Sequence, residues 1–124
     1  TIEDIEILTY SVHTETIWLG PEKRHGQIDA LIESIDMSFP FGVIGGDFNT
    51  LTPKSVEDLT GSLAEIGLER ATKGVGYTAQ YGPFEFVLDH IFTRGMTVLE
   101  AGKSDEARAS DHLPIWVSIA PNQE

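Results

Sequence analysis

Four short polar clusters end or interrupt apolar runs in this chain: His13 in VHTE, Asp47 and Asn49 in GGDFN, Asp89 in LDHIF, and Asp111-His112 in SDHLP. Their side chains are carboxylates, an amide and imidazoles, and the sequence contains no cysteine to add a thiolate. Hard oxygen and nitrogen donors of this kind suit Mg2+ or Mn2+. Such a cation beside an Asp, an Asn and an oriented His meets the needs of phosphoester hydrolysis. The ion offsets phosphate charge, a carboxylate aligns or deprotonates water, and an amide donor holds a non-bridging oxygen. Taken singly, most of these residues also have a plain structural reading. Asp47 suits a cap at a βα turn, His13 a loop position, and Asp111 a cap on the turn into the last strand.

Asp89 is different, because it lies in an apolar run between Leu88 and Ile91. An unpaired carboxylate there would cost on the order of several kcal/mol. A histidine is the natural partner, since an Asp that accepts from a ring N–H fixes the imidazole tautomer. Strand alternation sends His90 to the face opposite Asp89, which leaves His112 as the expected partner.

The surrounding pattern shows how the clusters would be carried. Ile5, Ile7, Tyr10 and Val12 give a first strand that runs into His13. Gly20-Pro21 marks a break and a helix start, and Ile28, Leu31, Ile32 and Ile35 form one helical stripe that should stop before Phe39-Pro40. FGVIGGDFN then reads as a buried strand, so strand, helix and strand make a parallel βαβ unit. A second helix is expected from Thr52-Pro53 or Ser55, with Ser55 and Asp58 as a capping box, Val56, Leu59, Leu63 and Ile66 as its stripe, and Gly67 as its stop. FEFVLDHIF, MTVLEAG and LPIWVSI supply further strands, the last with Leu113, Ile115, Val117 and Ile119 on one face. Two helices cover only one face of such a sheet, so the other face calls for a second sheet or a partner.

GGDFN, LDHIF and SDHLP, in this order and spacing, resemble the endonuclease/exonuclease/phosphatase superfamily. VHTE followed by RHGQIDAL is similar to the family stretch where a strand ends in a histidine and a helix begins with an Arg and a Gln. The resemblance implies an α/β fold, a four-layer α/β/β/α sandwich. Residues 1–124 match its C-terminal half, one mixed β-sheet with two helices on its outer face. It implies that Asp47 orients or activates the attacking water and that Asn49 contacts phosphate. By the same likeness Asp111 helps Asp47 hold Mg2+ or Mn2+. His112, paired with Asp89, contacts phosphate or acts as acid/base, and His13 assists at the leaving-group or phosphate side. The family's first half brings an Asn and a metal-binding Glu. Glu3, Glu6 and Glu15 match no such motif. A chain that opens at Thr1, already in a strand pattern, is therefore expected to be a truncated or processed product, its N-terminal half absent.

The formal net charge of −12 argues against broad polyanion binding, because phosphate contacts draw on Lys and Arg. No apolar run approaches the roughly 18 residues of a membrane span. The expectation is a divalent-metal-dependent phosphoester hydrolase (phosphodiesterase, nuclease or phosphatase) whose water attack is aided by Asp47 and His112. Its substrate would be a small phosphodiester, a lipid or a nucleic acid. The missing N-terminal half, a partner chain or a second copy would cover the open sheet face. The alternative is a non-catalytic half-domain that binds a partner protein through that face.

Overall fold

The computed structural model describes residues 7–13, 29–33, 35, 38, 41–104 and 112–122, the first of these segments as backbone. The apolar run before GGDFN forms strand β2 (Phe41–Asp47), parallel to β1 (Ile7–His13). Helical residues 29–33 (α1) lie between them in sequence. This is the expected βαβ unit. The expected helix start at Pro21 lies outside the described residues.

Helix α2 (Pro53–Ala64) starts one turn earlier than the Ser55–Asp58 reading places its cap. Pro53 fixes the first helical φ and has no N–H to satisfy, so Thr52 becomes the N-cap. Its hydroxyl accepts from the Ser55 amide at 3.1 Å, and the Ser55 hydroxyl accepts from the Thr52 amide at 3.0 Å. Asp58 instead meets Lys54 one turn away, at 3.3 Å. At the other end Leu68 N–H reaches the Leu63 carbonyl and Gly67 N–H the Ala64 carbonyl, both at 3.0 Å. These two bonds close a Schellman motif, and Gly67 supplies the left-handed residue it needs, at φ 83°.

Three short strands and a longer one follow: β3 (Glu69–Arg70), then β4 (Ala79–Tyr81) and β5 (Phe84–Phe86) as a hairpin, then β6 (Asp89–Arg94). The chain ends in a second antiparallel pair, β7 (Met96–Lys103) with β8 (Ile115–Pro121). The main sheet is mixed and four-stranded in the order β1-β2-β6-β3, with β4-β5 and β7-β8 as separate two-stranded sheets. This is the α/β, half-sandwich architecture expected from the sequence, with fewer strands in the central sheet than the pattern suggested.

FEFVLDHIF does not run as one strand. It breaks at Val87-Leu88 because the Leu88 and Asp89 amides both donate to the Thr78 hydroxyl, at 3.0 and 2.9 Å. A side chain thus takes the place of a strand partner, and Asp89 becomes the first residue of β6 rather than a residue inside a strand.

One face of the main sheet builds the core. Ile44 and Phe92 are register partners across β2 and β6, and they pack with Phe48, Leu59, Leu63, Leu68 and Ile35. Phe48 meets Phe92 edge-on at 5.8 Å, the geometry aromatic quadrupoles favour. The opposite face carries Val43 and Ile91, half-buried, and ends in Asp47 and Asp89. Among the described residues the large exposed apolar side chains sit on the two hairpins: Tyr81, Phe84, Val98, Leu99 and Trp116. Trp116 pairs with Gly102 across β7 and β8, where an added Cβ would come within 2.7 Å of the indole, so a larger residue there would displace the tryptophan. No helix among the described residues is long and apolar enough to cross a membrane.

His90 belongs to the core rather than to the open face. It is wholly buried beside Phe48 and Phe92. The Thr50 hydroxyl donates to the Val87 carbonyl at 2.6 Å, which spends its only proton. Its 2.8 Å contact with His90 Nε2 is therefore accepted by the hydroxyl, and the ring carries its proton on Nε2. Nδ1 finds no hydrogen-bond partner among the described residues. Burial, reinforced by the charge of Arg70, pushes the His90 pKa down to about 3. Between that value and the ordinary one near 6.5, the unfolded chain binds a proton that the folded chain refuses. Stability is therefore full above about pH 6.5 and falls as the pH drops, by about 2 kcal/mol at pH 5. Urea midpoints at pH 7 and pH 5 should show this loss, and His90→Gln should remove that component of it. Equal acid slopes in the two proteins would exclude His90 as the source.

Candidate active site

The open face of the sheet ends in two opposed carboxylates. Asp47 is the last residue of β2, Asp89 the first of β6, and the two are direct register partners. Directly opposed residues bring their Cβ atoms to roughly 5 Å, and like charges there are destabilising unless something positive or hydrogen-bonding compensates. The compensation comes from the far end of the chain. His112, just before β8, forms an isolated bridge with Ala79 of β4. That bridge holds its ring against both acids. Nδ1 lies 2.7 Å from Asp89 Oδ2, and Nε2 lies 3.8 Å from Asp47 Oδ2. One donor atom from each of Asp47, Asp89 and His112 falls within 4.8 Å of the others.

The local backbone is shaped for this. After β2 the chain turns sharply, and Asp47 Oδ1 accepts the Asn49 N–H at 2.9 Å. Asn49 sits at φ 51°, a conformation its short polar side chain tolerates. The turn is braced from behind. Phe48 N–H donates to the Leu88 carbonyl at 2.8 Å, and Thr50 spans His90 and Val87 as described above. The segments bearing Asp47 and Asp89 are thus tied at several points, and the carboxylates keep their spacing without relying on each other.

Burial raises the Asp89 pKa, and the charge of Asp47 adds to that, while hydrogen bonds from His112 and Thr78 oppose it. With the carboxylate accepting, His112 carries a proton on Nδ1 and turns Nε2 toward the opening. There the Tyr81 hydroxyl lies 3.0 Å away. Both ring nitrogens are engaged, so the fitting donors for a divalent ion are the oxygens of Asp47 and Asp89. All-oxygen donors with two charges suit a hard cation.

The residues singled out in the sequence fall as follows. Asp47, Asn49, Asp89 and His112 converge at one sheet edge. His13 ends β1 and is the backbone register partner of Asp47, so it belongs to the same edge. Asp111 lies outside the described residues. Sequence reasoning missed Tyr81, Thr78 and Thr50. The turn signal Gly82-Pro83 after Tyr81 is what could have pointed to the first. Gly82 at φ 62° occupies the first loop position of a two-residue hairpin, which folds Phe84 back beside Tyr81.

The fold is that of the endonuclease/exonuclease/phosphatase proteins. A family protein of that name from Leptotrichia buccalis superposes with a TM-score of 0.70 at 21% identity, over 95% of this chain and 50% of its own. A mannosyl-6-phosphatase from Bacteroides thetaiotaomicron gives a TM-score of 0.68 at 19% identity, over 95% of this chain and 52% of its own. Among curated sequences, a UPF0294 protein of Vibrio parahaemolyticus is 30% identical over 112 residues, 90% of this chain. The chain spans about two fifths of that relative's length, 39%. No protein-family model matches the chain.

Proposed function

We propose that this chain is the C-terminal half of a divalent-metal-dependent phosphoester hydrolase domain of the endonuclease/exonuclease/phosphatase family. The observation that carries the reading is the meeting of Asp47, Asp89 and His112, from segments far apart in sequence, at one partly buried sheet edge. Two opposed carboxylates with a histidine locked against one of them have little structural use. They suit a site where water attacks phosphorus.

In this reading Asp47 orients the attacking water and takes its proton. Its Oδ1 accepts from the Asn49 amide, and its Oδ2 lies on the His112 side. Asn49 offers its side-chain amide to a phosphoryl oxygen from the same turn. Asp89 fixes the tautomer and plane of His112, and the ring supports the phosphate or the leaving oxygen. Asp47 and Asp89, with Asp111 by family likeness, would hold Mg2+ or Mn2+, which supplies neutralisation of phosphate charge. His13 would lie at the phosphate side. The upstream half would complete the ion's ligands and cover the open sheet face.

The acidity of the chain favours a small phosphoester over a long nucleic acid, since a tracked polyanion calls for a Lys/Arg surface. Exposed Leu99 and Trp116 on the β7-β8 hairpin favour a second reading, in which this half serves as a protein-binding module. The two part on activity. The protein extended upstream of Thr1 should hydrolyse a 4-nitrophenyl phosphoester with Mg2+ or Mn2+, lose that in chelator, and recover it when the ion returns. Hydrolysis that ignores chelation, or none with either ion, rejects the hydrolase reading.

A further inference from the structure

Arg70 carries its charge on the core side of the sheet. It is the register partner of Phe92, so its side chain leaves the edge strand β3 on the face that α2 covers. There its Nε is buried and has no hydrogen-bond partner among the described residues. Burial lowers its pKa and no acid opposes the shift, yet a guanidinium stays charged at any working pH. With 20 acids against 8 lysines and arginines, the chain has no shortage of counterions. A half-buried cation left without one is costly, and its place in the fold calls for an anion from outside.

Arg70 also lines a groove of about 1130 Å³ between α2, residues 68–75 and β7. Val56 and Ala64 of α2, Leu68, and Met96 and Val98 of β7 give it largely apolar walls. Gly61 faces it from within α2, where an added Cβ would meet nothing within 4 Å. A glycine inside a helix costs stability relative to alanine, and here it widens the groove. Lys73, Glu57 and Glu69 also line it, all three exposed. The two acids repel a second negative charge, and the apolar walls favour a hydrocarbon. We propose that this groove binds an aliphatic carboxylate, with Arg70 holding the head as an ion pair and α2 and β7 flanking the tail. Strand alternation puts Phe92 and Arg70 on the face opposite Asp89 and Asp47, so this site is separate from the hydrolase site and does not rest on it.

The test is calorimetric titration of the full-length protein with decanoate, decanol, octanoate and inorganic phosphate. Decanoate should bind about 10-fold or more tightly than decanol, the scale of a hydrogen bond to a charged group. Octanoate, two methylenes shorter, should bind about 10-fold more weakly than decanoate. Phosphate should not compete. Arg70→Met keeps an unbranched stem and removes the charge. It should weaken decanoate by about 10-fold or more while leaving the protein at least as stable in urea, because an unpaired half-buried cation is gone. Gly61→Leu fills the groove from the helix side and should weaken decanoate as much, so it carries the test even where Arg70→Met fails to fold. No binding of decanoate by the wild type, or equal binding by the wild type and both variants, overturns the site. Phosphate bound as tightly as decanoate would leave an anion site without a tail pocket, and overturns the assignment of an aliphatic ligand. None of these readouts depends on phosphoester hydrolysis.

Discussion

On the proposed hydrolase reading, Asp47→Asn in the full-length protein should lower kcat for phosphoester hydrolysis by about 1000-fold, within the range for losing a positioned general base. The substitution is chosen to leave the architecture alone. An amide oxygen at Oδ1 still accepts from the Asn49 N–H, so the turn that ends β2 keeps its shape. What disappears is the capacity to take a proton, together with one of two like charges opposed across β2 and β6. Removing that repulsion relieves Asp89, whose pKa is raised by burial first and by Asp47 in addition. The variant should therefore be at least as stable as the wild type in urea while nearly inactive. Activity and stability moving in opposite directions is what a charge kept for chemistry produces. A variant that retains more than a tenth of wild-type kcat would remove Asp47 from the water-activating role.

The meeting of Asp47, Asp89 and His112 was more legible in the sequence than the scaffold around it, for identifiable reasons. Strand alternation was enough to send His90 and Asp89 to opposite faces, and the two residues do part: His90 into the core beside Phe48, Asp89 to the open edge. The pairing of Asp89 with His112 followed from the expense of an unpaired half-buried carboxylate, an argument that needs no coordinates. The βαβ unit and the stop at Gly67 were equally local. The break in FEFVLDHIF was not legible, because its cause is the hydroxyl of Thr78, ten residues before Leu88, taking two backbone amides. Tyr81 escaped for a related reason. Gly82-Pro83 in AQYGPFEF signals the hairpin, but not that it folds onto a residue 31 positions later. The capping box moved by one turn because a proline after Thr52 outweighs an acid after Ser55. Long-range side-chain contacts to backbone decide such details, and periodicity carries no record of them.

The remaining expectation concerns Asp89 and His112 as a unit. Asp89→Ala and His112→Ala should each lower kcat by roughly 100-fold or more, and the double variant should lose little beyond the worse single one, since groups that act together are not additive. Stability separates the two sides of the pair. His112→Ala leaves a carboxylate that burial already penalises without the 2.7 Å hydrogen bond that opposes the penalty, and should cost about 1–3 kcal/mol. Asp89→Ala removes the penalised charge along with its partner's contact, so its loss should be smaller. The double variant should then be more stable than the two single losses predict, with a coupling on the order of 1 kcal/mol in a urea-denaturation cycle. The sign is the informative part. Strict additivity in both kcat and stability would mean that the acid and the ring stand side by side without supporting each other, and the oriented histidine on which the chemistry depends would have no basis.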